Sequence, residues 1–200
     1  MLTFLRPLEL ITWNPLFEAW NFYRMDLIYI LKRLGDEGCA EKPADGSWSP
    51  CEVADHLRIS QSLYANLLAF VHGGKKGERR DDITVDYDFI EKNYAAPGKL
   101  KNPEVVNPSK EIIRLDLLKS LSKSMDKVEE YLMKISMEDL KALYFEHPIF
   151  GMISMLDWLW VLVQHEGMHV DALKKKLEEA GKDHSKRLLA SSDAKSDGIF

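Results

Sequence analysis

Cysteine is scarce in this chain: only Cys39 and Cys51 occur among 200 residues. That excludes a disulfide-dense scaffold and fits thiols kept reduced in a reducing compartment. Long apolar runs are missing as well. Stretches such as Leu159–Val163 fall far short of the roughly 20 residues that span a bilayer, so no membrane segment is expected. The opening residues, Met1 to Pro7, carry no basic segment followed by a long apolar one. No signal peptide is expected there, and the expected location is cytoplasmic. Positive charge is not in excess: 27 Lys and Arg against 32 Asp and Glu give a formal net charge of −5, which disfavours a nucleic-acid binder. Alternating period-2 segments are absent, Thr84–Tyr87 being the best strand candidate. No repeat of 20–50 residues is visible. What is present is a 46% hydrophobic fraction. A folded chain of this size buries roughly 70% of the surface its unfolded form exposes, enough for a core without staples.

The apolar residues fall into helical stripes. Asn14 as N-cap with Pro15 at the first helical position opens a helix whose apolar face is Leu16, Trp20, Tyr23, Leu27, Leu31 and Leu34, and Gly35 stops it. Ser49-Pro50-Cys51-Glu52 is a capping box, with Trp48 and Val53 placed to form a hydrophobic staple. This second helix continues through Leu57, Tyr64, Leu67, Leu68 and Val71 to Gly73-Gly74. Of residues 71–110, 15 of 40 are charged, and Pro97, Gly98, Pro103 and Pro108 follow one another. Residues 74–108 therefore read as an irregular insertion, with a short helix near Asp86–Asn93 and a crossover between parallel neighbours as one reading. A third helix is expected from Asn107-Pro108-Ser109, with the stripe Ile112, Leu115, Leu118, Met125, Val128 and Leu132. A short helix is expected over Met137–Leu143, and a fourth long helix from Gly151–Ser154 to Gly181. Four helices with single apolar faces bury them best as a bundle. The expected organisation is one all-α domain over 1–181 and a polar tail over 182–200.

Chemistry concentrates on the fourth helix, at His165-Glu166-Gly167-Met168-His169. Histidines at i and i+4 share a helix face about 6 Å apart and can share one ion. Two core histidines satisfied by hydrogen bonds are the plainer reading. The string also matches the H-E-x-x-H signature of zinc proteases. Against that, no H-x-x-G-x-x-H extension follows, and Glu178 and Glu179 merely continue the same helix. His56, on the inward face of the second helix, is the best third ligand, because ligands in bundles converge from facing helices. Three histidines leave an open coordination position, as in catalytic zinc sites. Cys51, one turn above His56, is a conceivable fourth ligand but sits near the helix start, where a structural role fits better. His72 lies at a helix C-terminus, His184 in the tail, and His147 in the loop before the fourth helix, as a turn residue or a group at the bundle mouth.

Three pieces of sequence resemble the DinB-like (DinB/YfiT-like) family of metal-binding four-helix bundles. Trp48-Ser49-Pro50-Cys51-Glu52-Val53-Ala54-Asp55-His56-Leu57 resembles its W-S-x-x-E-v-x-x-H-L. His147-Pro148-Ile149-Phe150-Gly151 with Trp158 resembles H-P-x-x-G…W, and His165–His169 resembles the closing H-[DE]-x-x-H. The resemblance implies an up-up-down-down bundle with a long crossover, a divalent metal (zinc or nickel) on His56, His165 and His169, and a homodimer. It also implies a thiol-dependent transferase or isomerase chemistry that uses a low-molecular-weight thiol such as bacillithiol or mycothiol. Members often place Gln three residues after the last His, where this chain has Ala172.

Two functional readings follow. In one, the chain is a metal-dependent transferase or hydrolase acting on an unidentified small molecule. Glu166 is then a candidate general base, although its angle around the helix also permits a role in holding a ligand imidazole. In the other, the metal only ties two helices of a binding or structural bundle together. An open coordination position at the mouth of a pocket discriminates between them.

Overall fold

The computed structural model describes the backbone of residues 6–74, 77–95 and 103–196, with side chains as far as Glu178. Six helices follow one another: α1 (Asn14–Ala40), α2 (Pro50–His72), α3 (Tyr87–Ala95), α4 (Arg114–Leu132), α5 (Met137–Ala142) and α6 (Met155–Ser196). The four long ones, α1, α2, α4 and α6, form a four-helix bundle. Its core includes Trp20, Leu27, Leu31, Leu57, Tyr64, Leu68, Leu121, Val128, Leu159 and Trp160.

Side-chain pairings fix the directions. Arg24 of α1 meets Gln61 of α2, and Cys39 meets Cys51, so α1 and α2 are antiparallel. Along α2 and α4, Gln61 meets Ser124 and His72 packs on Tyr131, so those two run parallel. Helix α6 meets α1 through Glu166 to Arg24 and Lys174 to Asp26, and runs with it. The crossover between α2 and α4 thus joins parallel neighbours, as its length requires. The directions read up, down, down, up. Within the expected bundle only the order of directions differs from the resemblance, because the nine-residue connection 41–49 turns α2 back along α1.

Local chemistry explains the element ends. Ser49 accepts from the Glu52 N–H while Glu52 accepts from the Ser49 N–H, closing the capping box. Gly35 has φ 68° and breaks the helical path, and a last turn continues to Ala40. The start of α1 lies one residue earlier than expected: Trp13 takes the N-cap position and Asn14 is already helical. Helix α4 starts at Arg114 rather than near Ser109. Leu117 and Leu121 join its buried face, and Leu115 is exposed. Residues 107–113 instead run as an irregular segment, tied to α2 where the Ser109 N–H donates to Asp55 at 2.7 Å. The expected end of the last helix at Gly181 is also corrected, because the backbone of α6 continues helical to Ser196. Of the polar tail expected over 182–200, residues 197–200 lie outside the described residues.

Two further expectations are overturned. A three-stranded antiparallel sheet is present, ordered β1 (Glu78–Arg79), β2 (Leu143–His147), β3 (Gly151–Ser154). Strands β2 and β3 form a hairpin with Tyr144 opposite Ser154 and His147 opposite Gly151. Thr84–Tyr87 is not a strand; Tyr87 opens α3. The two cysteines are not free thiols. Cys39 and Cys51 form a disulfide, with Cα atoms 5.2 Å apart, because the antiparallel α1–α2 pair brings the end of one helix to the start of the next. That pairing removes the argument from reduced thiols to a reducing compartment, and it removes Cys51 as a metal ligand. No described helix is long and apolar enough to cross a membrane.

Candidate metal centre

His56 projects from the second turn of α2, and His165 and His169 from one face of α6. Their rings meet with centroids 4.8–5.2 Å apart. The Nε2 of His165 lies 3.0 Å from that of His56 and 3.1 Å from that of His169. One ligand nitrogen from each ring lies within 4.8 Å of the other two. The sequence-derived trio is therefore brought together.

The tautomer of His56 is determined. Its Nδ1 donates to the carbonyl of Val106 at 2.7 Å, so its Nε2 carries only a lone pair. Val106 belongs to a 3₁₀ turn, Glu104–Val106, inside the crossover. The insertion thus orients the first ligand, and no spacing rule in the sequence points to it. Trp48 packs against the same ring, with centroids 4.8 Å apart.

Protons alone do not satisfy this cluster. His165 Nε2 faces two nitrogens and holds either one proton or one lone pair. If it donates to His56, it offers no acceptor to His169; if it accepts from His169, it faces the His56 lone pair unprotonated. An ion with metal–nitrogen bonds of about 2.0–2.1 Å and tetrahedral geometry separates its ligand nitrogens by about 3.4 Å. The two contacts at His165 are within a few tenths of an ångström of that and the remaining pair of donor nitrogens lies within 4.8 Å, so the donor set can close on such an ion with small side-chain shifts. Ionisation points the same way. Burial, reinforced by the neighbouring histidines, holds His165 well below its ordinary range and His169 at about 3. Burial also lowers His56, against the opposing pull of the Val106 carbonyl and Asp55. All three rings are neutral at pH 7, the form a metal requires.

The trio lines a cavity of about 670 Å³ whose wall is largely apolar, with Trp48, Leu63, Val161, Leu162 and Met168 among its residues. Ala172, where the resemblance leads one to expect Gln, also lines it. Lys176 of α6 reaches Ser47 at 2.7 Å and ties the α1–α2 connection across one side of the mouth. His147 lines the cavity too. Its Nδ1 accepts from the N–H groups of Ile149 and Phe150, so it is both a turn residue and a wall residue, and burial lowers it to about 4. His72 ends α2 against Tyr131, away from the trio. The side chain of His184 lies outside the described residues.

Glu166, the expected base, is not brought to the three nitrogens and does not line the cavity. It faces α1, where its carboxylate pairs with Arg24 at 2.5 and 2.7 Å and accepts from the Trp20 indole at 2.5 Å. Arg24 and Glu166 are 1% and 2% exposed. Arg24 donates further to Gln61 and to the Leu121 carbonyl, so one guanidinium bonds to all three neighbouring helices. Next to Glu166, a Cβ on Gly167 would meet the Tyr23 ring at 2.7 Å, so α1 and α6 approach too closely there for any side chain. This arrangement is not that of a zinc protease, whose H-E-x-x-H glutamate serves as the base at the metal.

A family model described as the DinB superfamily matches residues 19–173, from the first turns of α1 to the histidine-bearing part of α6. The chain belongs to the DinB superfamily. An uncharacterised Bacillus subtilis protein, YuaE, is 27% identical over 173 residues, covering 82% of this chain and 99% of that protein. Among solved structures, TT2238, a four-helix bundle protein, is similar with a TM-score of 0.53 and 18% identity, covering 82% of this chain and 99% of its own. That likeness bears on the fold alone.

Proposed function

We propose that this chain is a metal-dependent enzyme acting on a small molecule, with one divalent transition ion, zinc or nickel, on His56, His165 and His169. The observation that carries this reading is the convergence of three neutral imidazole nitrogens in the wall of a cavity. Its volume of about 670 Å³ falls in the range of small-molecule sites. A purely structural ion would have its four ligands from the protein, whereas the described residues bring three. When bound, such an ion supplies a Lewis acid that lowers the pKa of a coordinated water or thiol. The chain's own residues fix the site. Val106 sets the His56 tautomer, the Arg24–Glu166 pair holds the rotation of α6, and the apolar wall limits water. Glu166 in this reading is a positioning residue. A low-molecular-weight thiol is proposed as cosubstrate, supported by superfamily membership and by a cavity with room for a thiol and an acceptor together. A second copy of the chain is part of the proposal, supported by the exposed stripe Phe22, Met25 and Tyr29 on α1.

Elemental analysis of gently purified protein tests the reading. About one transition ion per chain is expected, and His169→Ala should lose it by orders of magnitude in affinity. Equal metal content in both proteins would refute the site. Thiol transfer to electrophiles, screened beside amide and ester hydrolysis with metal-loaded protein, then tests the reaction class.

A further inference from the structure

Two hydrogen-bond donors in the cavity wall have no partner among the described residues. His147 receives two backbone N–H groups on Nδ1, at 3.2 and 3.3 Å, so its proton is on Nε2. The ring is held edge and face by Phe150, with centroids 4.9 Å apart, and Trp158, 4.3 Å apart. No described residue accepts from that Nε2. Tyr94 of α3 lines the same cavity, 7% exposed, with its ring 6.1 Å from that of His165. Its hydroxyl likewise has no partner among the described residues. Both rings pack on Phe150, Tyr94 at 5.8 Å and His147 at 4.9 Å, and both lie near His165, so the two side chains belong to the part of the wall beside the histidine trio.

Neutral donors on an apolar wall discriminate. Both can donate to an acceptor oxygen, the His147 Nε2–H cannot accept from an ammonium group, and a hydrocarbon leaves both unpaired at a cost. We propose that Tyr94 and His147 together form the polar half of the ligand site, holding the carbonyl-type oxygen of an uncharged, largely apolar molecule. The proposal rests on the cavity being the ligand site of the function proposed above, and it adds the substrate class. The crossover and the β2–β3 hairpin then have a shared role: each delivers one donor to the wall, and neither delivers a charge.

Acetophenone, with one carbonyl on an apolar ring, is the probe, and benzylammonium is its charged counterpart. Binding is followed by NMR through the indole N–H signals of Trp48 and Trp158, which line the cavity. Zinc-loaded and chelator-stripped samples are run in parallel, with metal content measured in each. The variants are Tyr94→Phe, which removes only the hydroxyl, and His147→Asn. The Asn carbonyl can still accept from the 149–150 turn while the distal donor is lost. Acetophenone should shift both indoles saturably, and each variant should weaken it about threefold to tenfold. Benzylammonium should shift neither. Absent shifts, equal binding of benzylammonium, or unchanged affinity in either variant overturns the proposal. Metal uptake with unchanged affinities would sink the donor pair alone. Donor-dependent binding in a protein that takes up no metal would sink the metal reading and leave the donor pair standing.

Discussion

Glu166 shows how far a single residue can be read before its neighbours are known. Its position on the helix, between two histidines, was visible, and so was its angular offset from both. What it meets was not, because that depends on the rotation of α1, and α1 presents Arg24 and Trp20 there. The histidines were legible for the opposite reason: all three lie on the apolar stripes that any bundle turns inward. Since Arg24 is buried, Glu166→Gln removes the charge that compensates it. A loss of about 3–5 kcal/mol is expected, the usual effect of breaking a buried ion pair from one side. Replacing both, Arg24→Met with Glu166→Leu, should recover most of it. Denaturant unfolding of the three variants measures this. Unchanged stability in Glu166→Gln, with turnover lost, would return Glu166 to the reacting centre.

Among the elements, the ends with strong local chemistry were legible and the rest were not. The capping box at Ser49 is found where it was expected because four adjacent residues determine it. The β2–β3 hairpin is not legible in the sequence because Leu143-Tyr144-Phe145-Glu146-His147 does not alternate: two successive residues are buried where α5 and α6 cover the sheet. The disulfide is not legible either, because it depends on tertiary structure. Two cysteines in a chain carry no sign of pairing until the α1–α2 turn sets them side by side. With a sequence separation of 12, the cross-link should contribute about 3 kcal/mol by restricting the unfolded chain. Reductant, or Cys39→Ser with Cys51→Ser, is expected to lower the urea midpoint by a corresponding amount while far-UV helicity persists in buffer. A midpoint indifferent to reductant would show that the bond is not formed.

For the whole molecule, the histidines make stability depend on pH. His56, His147, His165 and His169 all titrate below the ordinary 6.5 because they are buried. The unfolded chain binds protons near 6.5 that the folded one refuses, so stability falls as pH drops through 6.5. The decline should continue to about 4 for His147 and about 3 for His169. Urea midpoints of chelated protein from pH 7.5 to 4.5 should fall steadily, and a flat profile would contradict the burial of neutral rings. The same residues impose an order of events. His56 and His165 are separated by 109 positions, and the crossover that supplies Val106 lies between them. A nascent chain that has emerged only through α4 owns one imidazole of three. The centre is thus assembled last, after the crossover has threaded and α6 has docked beside α1. Metal uptake then becomes a clock for completed folding: in stopped-flow refolding it should track the slowest phase, and the ion should leave the rate of earlier helix pairing unchanged.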